Sequence, residues 1–185
     1  MVTTVPSFEE LAAEYSGALF AYLARMTGNH AEADDLLQET LMRIARALPG
    51  FEQRASIKTW VYRIATNVAI DALRKRGSAL ETDFEESEVA DELDEEDQLV
   101  VVEMNACVRG VIDSLPPTYR APLVLFALEG KSVGEVAEVC GISVGTAKVR
   151  LHRARERLRQ ALEAECTFYE SPSGDLRCDR KEPEQ

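Results

Sequence analysis

One short segment of the chain holds its excess of negative charge and divides the sequence into two parts. Residues 78–103 contain twelve acidic side chains and no basic one, which equals the net charge of −12 of the whole chain. Like charges at this density repel each other, and the segment lacks a periodic apolar face, so it is typical of an extended, solvated linker. The parts on either side are nearly charge-balanced, and 45% hydrophobic residues overall suffice for a packed core.

Both flanking parts have the spacing of amphipathic helices and few strand signals. In the first part, apolar residues recur every three or four positions, which predicts helices over 8–26, 31–48 and 57–76. Gly28-Asn29 and Pro49-Gly50 are the breakers between them. The predicted fold class is therefore all-α, with two small helical domains joined by an acidic flexible linker and the second containing a helix-turn-helix. The predicted divisions are a first domain at 8–77, the linker at 78–96, a second domain at 97–163 and a C-terminal tail at 164–185.

The helix-turn-helix prediction comes from the end of the second part. Leu115-Pro116-Pro117 begins a helix with proline in its first turn. Ser132 and Glu135 then have the spacing of a capping box, which opens a short helix that ends at Gly141. Ser143 caps a longer helix that continues to about residue 162. A short helix, a glycine turn and a longer helix in this order indicate a helix-turn-helix.

The longer of these helices has one apolar and one basic face. Its inward stripe is Ala147, Leu151, Ala154 and Leu158. The opposite face suits phosphates and base edges in a major groove, whereas the alternative is a solvated basic helix of a bundle. Arginines 150, 155, 157 and 159 flank that face. The residues predicted to bind duplex DNA are Ser143, Thr146, Lys148, Val149, His152 and Arg153.

The third helix of the first part interleaves aromatic and basic residues over TWVYRIATN and ends in RKR. Aromatic rings stack on unpaired bases and arginines follow the phosphate backbone, so this pattern favours single-stranded nucleic acid. Trp60 has two interpretations, core packing or base stacking, and its angular position is on the apolar side. Arg63, Asn67 and Arg74 lie off that side and are predicted to contact nucleic acid.

The second helix carries a row of carboxylates opposite its apolar stripe. The row begins at DDLLQE (34–39) and includes the apolar Met42. Such a row is either a solvated helix face or a docking surface for a partner protein, since an apolar residue ringed by charges is typical of interfaces. From the residues alone both interpretations remain open.

Three stretches resemble the bacterial RNA polymerase sigma factors: DDLLQETLMRIARAL, SIKTWVYRIATNVAIDALRKR, and LPPTYRAPLVLFALEGKSVGEVAEVCGISVGTAKVRLHRARERL. Their order, the short chain and the acidic linker resemble the extracytoplasmic-function (ECF) group, over about residues 8–163. The resemblance implies a transcription initiation factor that binds core RNA polymerase and promoter DNA, with an anti-sigma factor as a further partner. The alternative is a helix-turn-helix repressor or activator that acts alone.

The resemblance also implies roles for individual residues. The residues that it implies dock on core polymerase are Asp35, Gln38, Glu39 and Met42. The residues that it implies bind the −10 element, as a single strand, are Arg54, Ser56, Lys58, Arg63, Asn67 and Arg74. The −35 element, read as duplex, falls to the recognition-helix residues given above, where the apolar Val149 suits a thymine methyl group.

No pattern in the sequence indicates catalysis, a cofactor, a small-molecule substrate or a metal site. Four cysteines and two histidines lack zinc-binding spacing. Cys166 and Cys178, in the tail, are either a redox- or metal-responsive pair or untethered thiols, and the residues between them have the composition of a small hairpin. No apolar run is long enough for a membrane span, and no signal-peptide pattern is present, so the expected location is the cytoplasm.

Overall fold

The computed structural model describes residues 5–77, 106–170 and 176–180. The predicted linker, the predicted helical start at 97–105 and the rest of the C-terminal tail lie outside these residues. The described elements, in chain order, are α1 (Phe8–Thr27), α2 (His30–Ala47), a 3-10 turn (Leu48–Gly50), α3 (Ile57–Arg76), α4 (Ala106–Ser114), α5 (Pro117–Ala127), α6 (Val133–Cys140), α7 (Val144–Glu165), β1 (Cys166–Glu170) and β2 (Leu176–Arg180).

Local capping interactions set the ends of the helices. Ser7 and Glu10 form a reciprocal capping box at the start of α1, which ends at Gly28 with a left-handed φ of 73°. The Asn29 side chain then accepts from the backbone N–H groups of Ala31 and Glu32, so α2 begins at once. The predicted boundaries near Gly28 and Pro49 are confirmed, because both are decided by residues within one helical turn.

The first three helices pack through the apolar faces that the sequence predicts. Leu19, Tyr22, Leu23 and Met26 of α1 are fully buried between α2 and α3. Thr40 of α2 lies on the same apolar side, and its hydroxyl donates to a backbone carbonyl four residues back. Burial of this polar residue is therefore compensated inside its own helix.

The last four helices form the second body. Pro116 and Pro117 open α5 as predicted, and α7 packs along α5, α4 and α6. The predicted stripe of α7 is buried, and its alanines at 147 and 154 are completely inaccessible. Small side chains at these two points permit the close approach of α7 to its neighbours.

The two bodies share a single hydrophobic core. Helix α3 packs against α5 and α6, and α1 packs against α5, so buried residues run without a break from Leu11 to Leu158. The division into domains at 8–77 and 97–163 remains a prediction. In the arrangement described, the buried apolar residues of each body also pack against the other body.

A two-stranded hairpin follows α7. Strands β1 and β2 pair antiparallel, with Cys166 opposite Arg180 and Phe168 opposite Cys178. The predicted all-α fold class is confirmed, and this hairpin is an addition to it. Within the described ranges, no helix combines the length and the apolar character that a membrane crossing requires.

Candidate functional site

The outer face of α2 is an acidic surface around one apolar side chain. Asp35 and Gln38 are exposed, and Met42 is 47% exposed, which is high for a large apolar residue. Glu39 is fixed by Arg43, whose Nε lies 2.7 Å from the carboxylate. Arg43 also lies 3.6 Å from Asp71 on α3, so the orientation of Glu39 depends on both helices. We call Asp35, Gln38, Glu39 and Met42 the α2 face.

Arg43, which orients Glu39 of the α2 face, was not anticipated from the sequence. Its pKa is raised above the ordinary arginine value, chiefly by the hydrogen bond from its guanidinium to Glu39. The i,i+4 spacing of Glu39 and Arg43 was a usable signal, whereas the contact with Asp71 needed the tertiary packing.

The start of α3 is fixed by its cap, and its outer side is polar. The Ser56 hydroxyl accepts from the backbone N–H of Thr59 at 3.0 Å. Arg54, just before the cap, is exposed and lies 2.7 Å from Glu52. Trp60 is only partly exposed and packs on the Phe51 ring with centroids 4.9 Å apart, which favours the packing interpretation over base stacking.

The remaining α3 residues predicted to bind nucleic acid are all exposed. Arg63, Asn67 and Arg74 are spaced by four and seven positions, so they follow one side of the helix. Lys58 is exposed in the first turn. We call Arg63, Asn67 and Arg74 the α3 face; Lys58 lies on another side of the helix.

The recognition helix begins with a side-chain cap. The Ser143 hydroxyl accepts from the backbone N–H of Thr146 at 3.0 Å and lies 2.8 Å from the Thr146 hydroxyl. Lys148 and His152 are exposed on the side away from the core, and Val149 and Arg153 are partly exposed beside them. The Ser143 hydroxyl therefore caps the helix and bonds to the Thr146 hydroxyl, while the side chains one and two turns later face outward.

Two of the flanking arginines turn toward the protein rather than away from it. The Arg150 guanidinium lies over the Tyr119 ring at 5.9 Å, and that of Arg155 lies over the Phe126 ring at 4.7 Å. Both rings belong to α5, which packs along α7. The basic face of α7 is therefore narrower than its sequence suggests, because two of its cations cover aromatic surface of the core.

The turn between α6 and α7 lies against α3. Gly141 has a left-handed φ of 67°, and a Cβ atom at this residue would lie 2.9 Å from the Arg63 guanidinium. The α3 face and the beginning of the recognition helix are thus in contact in this structure.

Comparison with known proteins identifies the family. The description "Sigma-70 region 2" matches residues 11–79, and "Sigma-70, region 4" matches residues 105–158. The ECF RNA polymerase sigma factor SigW of Bacillus subtilis is 34% identical over 166 residues, covering 84% of this chain and 89% of that protein. This chain belongs to the sigma-70 family, in its ECF group. SigE of Mycolicibacterium smegmatis is 33% identical over 162 residues, covering 85% of this chain and 62% of that protein.

Two solved structures share the fold of this sigma factor. The sigma factor RpoE of Bartonella quintana, in complex with the anti-sigma factor NepR, has a TM-score of 0.60 and 29% identity over 84% of this chain and 96% of that one. CnrH, in complex with the cytosolic domain of CnrY, has a TM-score of 0.58 and 26% identity over 85% of this chain and 88% of that one. The family consists of transcription initiation factors rather than enzymes.

Several residues at the contact between the two bodies of the sigma factor were missed in the sequence. Glu129, just after α5, accepts from the Arg25 side chain of α1, and Arg120 of α5 donates to the Met26 carbonyl of α1. Arg120 carried a signal, because it is a lone charge inside the apolar run PTYRAPLVLFA. Glu129 carried none, because a glutamate before a glycine turn is ordinary at a surface.

The cysteines of the tail are not opposite each other in the hairpin. Cys166 pairs with Arg180 and Cys178 with Phe168, which makes the two cysteines diagonal neighbours. Their role as a redox- or metal-responsive pair remains a prediction.

Proposed function

We propose that this sigma factor docks on core RNA polymerase through the α2 face and directs it to promoters that α3 and α7 recognise. The observation that carries the proposal is the exposure of the α2 face, with Met42 uncovered inside a rim of Asp35, Gln38 and Glu39. A transcriptional regulator that acts on DNA alone needs no such surface. The cytoplasm, where the polymerase works, is its proposed location.

The α3 face suits a single strand. Arg63 and Arg74 are exposed along one side of the helix, so they can follow the phosphates while bases meet polar side chains such as Asn67. Ser56 also caps α3. The preceding loop, with the exposed Arg54, is thereby held next to the start of α3 and close to the bound DNA strand. We assign the −10 element to this face and this loop.

The exposed side of α7 suits a duplex. Lys148 and His152 point away from the core one helical turn apart, with Val149 and Arg153 beside them. Arginine discriminates guanine by a bidentate contact, whereas Val149 offers an apolar contact for a thymine methyl group. We assign the −35 element to these residues and to the capped helix start at Ser143 and Thr146.

An anti-sigma factor is a proposed partner. The similar structure of the sigma factor RpoE is a complex with the anti-sigma factor NepR, and that of CnrH is a complex with the cytosolic domain of CnrY. Sequestration of this kind would keep a promoter-directing factor silent until a signal arrives.

The test is reconstitution with core RNA polymerase and genomic DNA, followed by sequencing of run-off transcripts. We expect start sites that share −10 and −35 sequences and that appear only when the protein is added. Changing Asp35 and Gln38 together to alanine is expected to weaken polymerase binding at least about tenfold, since two hydrogen-bonding groups of an interface are lost, with unchanged helicity because neither is buried.

A matched control for this variant is Glu14→Ala, an exposed acidic residue of α1 outside the α2 face. It changes charge in the same direction and is expected to leave polymerase binding unaltered. Unchanged binding in the double variant would remove the docking assignment. Specific binding of free protein to operator-like duplexes, with no effect of polymerase, would instead favour the stand-alone regulator.

A further inference from the structure

One guanidinium lies between two carboxylates that belong to different helices. Arg43 of α2 donates from Nε to Oε1 of Glu39 at 2.7 Å, and its Nη1 lies 3.6 Å from Oδ2 of Asp71 on α3. The hydrogen bond to Glu39 raises the pKa of Arg43, and the charges of both carboxylates act in the same direction. We call Glu39, Arg43 and Asp71 the ion triad.

The first carboxylate of the ion triad belongs to the α2 face. Glu39 is 38% exposed and lies three residues before Met42, so the two side chains share one side of the helix. Within the described part of the chain its second oxygen, Oε2, has no hydrogen-bond partner, which leaves it open to a donor of the polymerase. The bond from Arg43 to Oε1 restricts the orientation of the carboxylate, so less side-chain freedom is lost when Glu39 docks.

The second carboxylate of the ion triad lies on the side of α3 that carries the α3 face. Asp71 is 52% exposed, follows Asn67 by four residues and precedes Arg74 by three, so these side chains are neighbours on the helix surface. A carboxylate at this position disfavours the approach of the phosphates that Arg63 and Arg74 are proposed to follow, because like charges are brought together. Arg43 reaches Asp71 from the adjacent helix and offsets that charge.

We propose that Arg43 is a positioning residue for two surfaces: it orients Glu39 for docking on core RNA polymerase, and it compensates the charge of Asp71 beside the −10 strand. The proposal rests on the proposed function, which assigns the polymerase to the α2 face and the −10 element to the α3 face. Arg43 acts on each partner through a different carboxylate. Its two effects can therefore be separated by substitution of one carboxylate at a time.

Two other roles for Arg43 make different predictions. If the guanidinium contacted polymerase or phosphate itself, its loss would add to the loss of either carboxylate. If it only joined α2 to α3, its loss would lower the stability of the first body and would act on both partners alike. An ion pair between half-exposed side chains contributes little to stability, so we expect the variants below to fold.

The first experiment measures binding to immobilised core RNA polymerase by biolayer interferometry, for the parent, Arg43→Met, Glu39→Gln and the double variant. We expect Arg43→Met to weaken binding about fivefold, the upper end for a half-exposed ion pair. In the Glu39→Gln background the same change is expected to have almost no further effect, because the carboxylate that Arg43 orients is already absent.

The second experiment measures binding of a fluorescent single strand that carries the −10 element of a promoter mapped by run-off transcription. Polymerase is supplied at concentrations at which every variant is fully docked. We expect Arg43→Met to weaken strand binding about threefold at low salt, within the range for one exposed charge pair, and less at high salt. Arg43→Lys retains the positive charge and is expected to bind the strand as the parent does.

Asp71→Asn separates charge compensation from a direct DNA contact. In the Arg43→Met background it is expected to restore strand binding to the level of the parent, because the uncompensated carboxylate is gone. In the parent it is expected to increase strand binding less, because Arg43 already offsets the charge. Neither change is expected to improve docking on polymerase, which depends on Glu39.

The matched control is Arg159→Met. Arg159 is also exposed and lies 2.8 Å from each of two carboxylates, Glu156 and Glu163, but all three residues belong to α7. Its substitution is expected to leave docking and binding of the −10 strand unchanged. Far-UV circular dichroism and the thermal midpoint establish that each variant is folded.

Three results would overturn the proposal. Additive losses from Arg43→Met and Glu39→Gln would remove the orienting role, and equal gains from Asp71→Asn in both backgrounds would remove the compensating role. Unchanged binding of both partners by Arg43→Met would remove both roles. A parent that binds neither polymerase nor the strand would refute the proposed function and this inference with it, whereas a parent that binds both and variants that add would refute the inference alone.

Discussion

Removal of the buried guanidinium of Arg120 is expected to destabilise the whole protein. Arg120 is 3% exposed and donates to the carbonyls of Met26, Asp113 and Leu115, while the Asp113 carboxylate lies 3.4 Å away. Burial lowers its pKa, since the charged form is desolvated, but the Asp113 charge opposes that shift. Arg120→Met keeps much of the apolar stem and deletes every one of these donors.

The expected loss follows from those partners. Each buried acceptor left without a donor costs about 1–3 kcal/mol, so three carbonyls set an upper limit near 9 kcal/mol. The desolvation of the guanidinium, which costs several kcal/mol in the folded state, is recovered in the variant. The net expectation is a fall of about 3–5 kcal/mol in the free energy of unfolding, as is typical when one partner of a buried charged network is removed.

Urea denaturation monitored by far-UV circular dichroism measures this loss. The control is Arg159→Met, on the exposed side of α7, where the paired carboxylates of Glu156 and Glu163 remain solvated after the change. It is expected to leave the denaturation midpoint almost unaltered. A loss below about 1 kcal/mol for Arg120→Met would refute the argument, because the carbonyls would then have found other donors or water.

Two further predictions concern recognition and pH. Arg153→Ala is expected to weaken binding to a mapped −35 duplex by about 1–3 kcal/mol and binding to a scrambled duplex much less. Lys148→Ala is expected to weaken binding to both duplexes and to flatten the salt dependence. Titrations of both duplexes at two salt concentrations measure this, and equal losses on the two duplexes for Arg153→Ala would make Arg153 a phosphate contact. Hydrogen bonds from the backbone and side chain of Ser132 lower the pKa of Glu135, so its capping contribution is present above the unfolded pKa and is lost as pH falls through the lower folded pKa. Glu135→Gln is expected to make the thermal midpoint less sensitive to pH in that acidic range, and an unaltered pH profile would contradict the assignment.

Helix ends and buried faces follow from the sequence because their causes are local. The capping box of Ser132 and Glu135 appears as predicted, with the serine N–H 2.9 Å from the carboxylate. The inward stripe of α7 is equally local, since residues three and four apart share one helix face. For the same reason, the row of polar side chains on α2, which begins at DDLLQE and includes the exposed Met42, could be predicted before any packing was known.

The directions of long side chains do not follow from spacing in the same way. Arg150 and Arg155 belong to a basic stretch that predicts DNA contacts, yet each covers an aromatic ring of α5. A flexible arginine reaches several neighbours at little cost, so the partner it finds depends on which element packs beside its helix. The sequence specifies the charged side chains, but the packing of α5 on α7 decides which groups they contact.

The sequence by itself determined an all-α chain with a helix-turn-helix, the family to which it belongs, and the boundaries of nearly every described helix. Only the tertiary structure decided that the two bodies share one core and that Glu129 joins them, through Arg25 and Tyr62, which lie 104 and 67 residues away in the chain. Capping and amphipathic spacing act over three or four residues and leave a regular pattern. A contact between distant residues leaves no such pattern in one sequence, because its formation depends on how all the intervening helices pack.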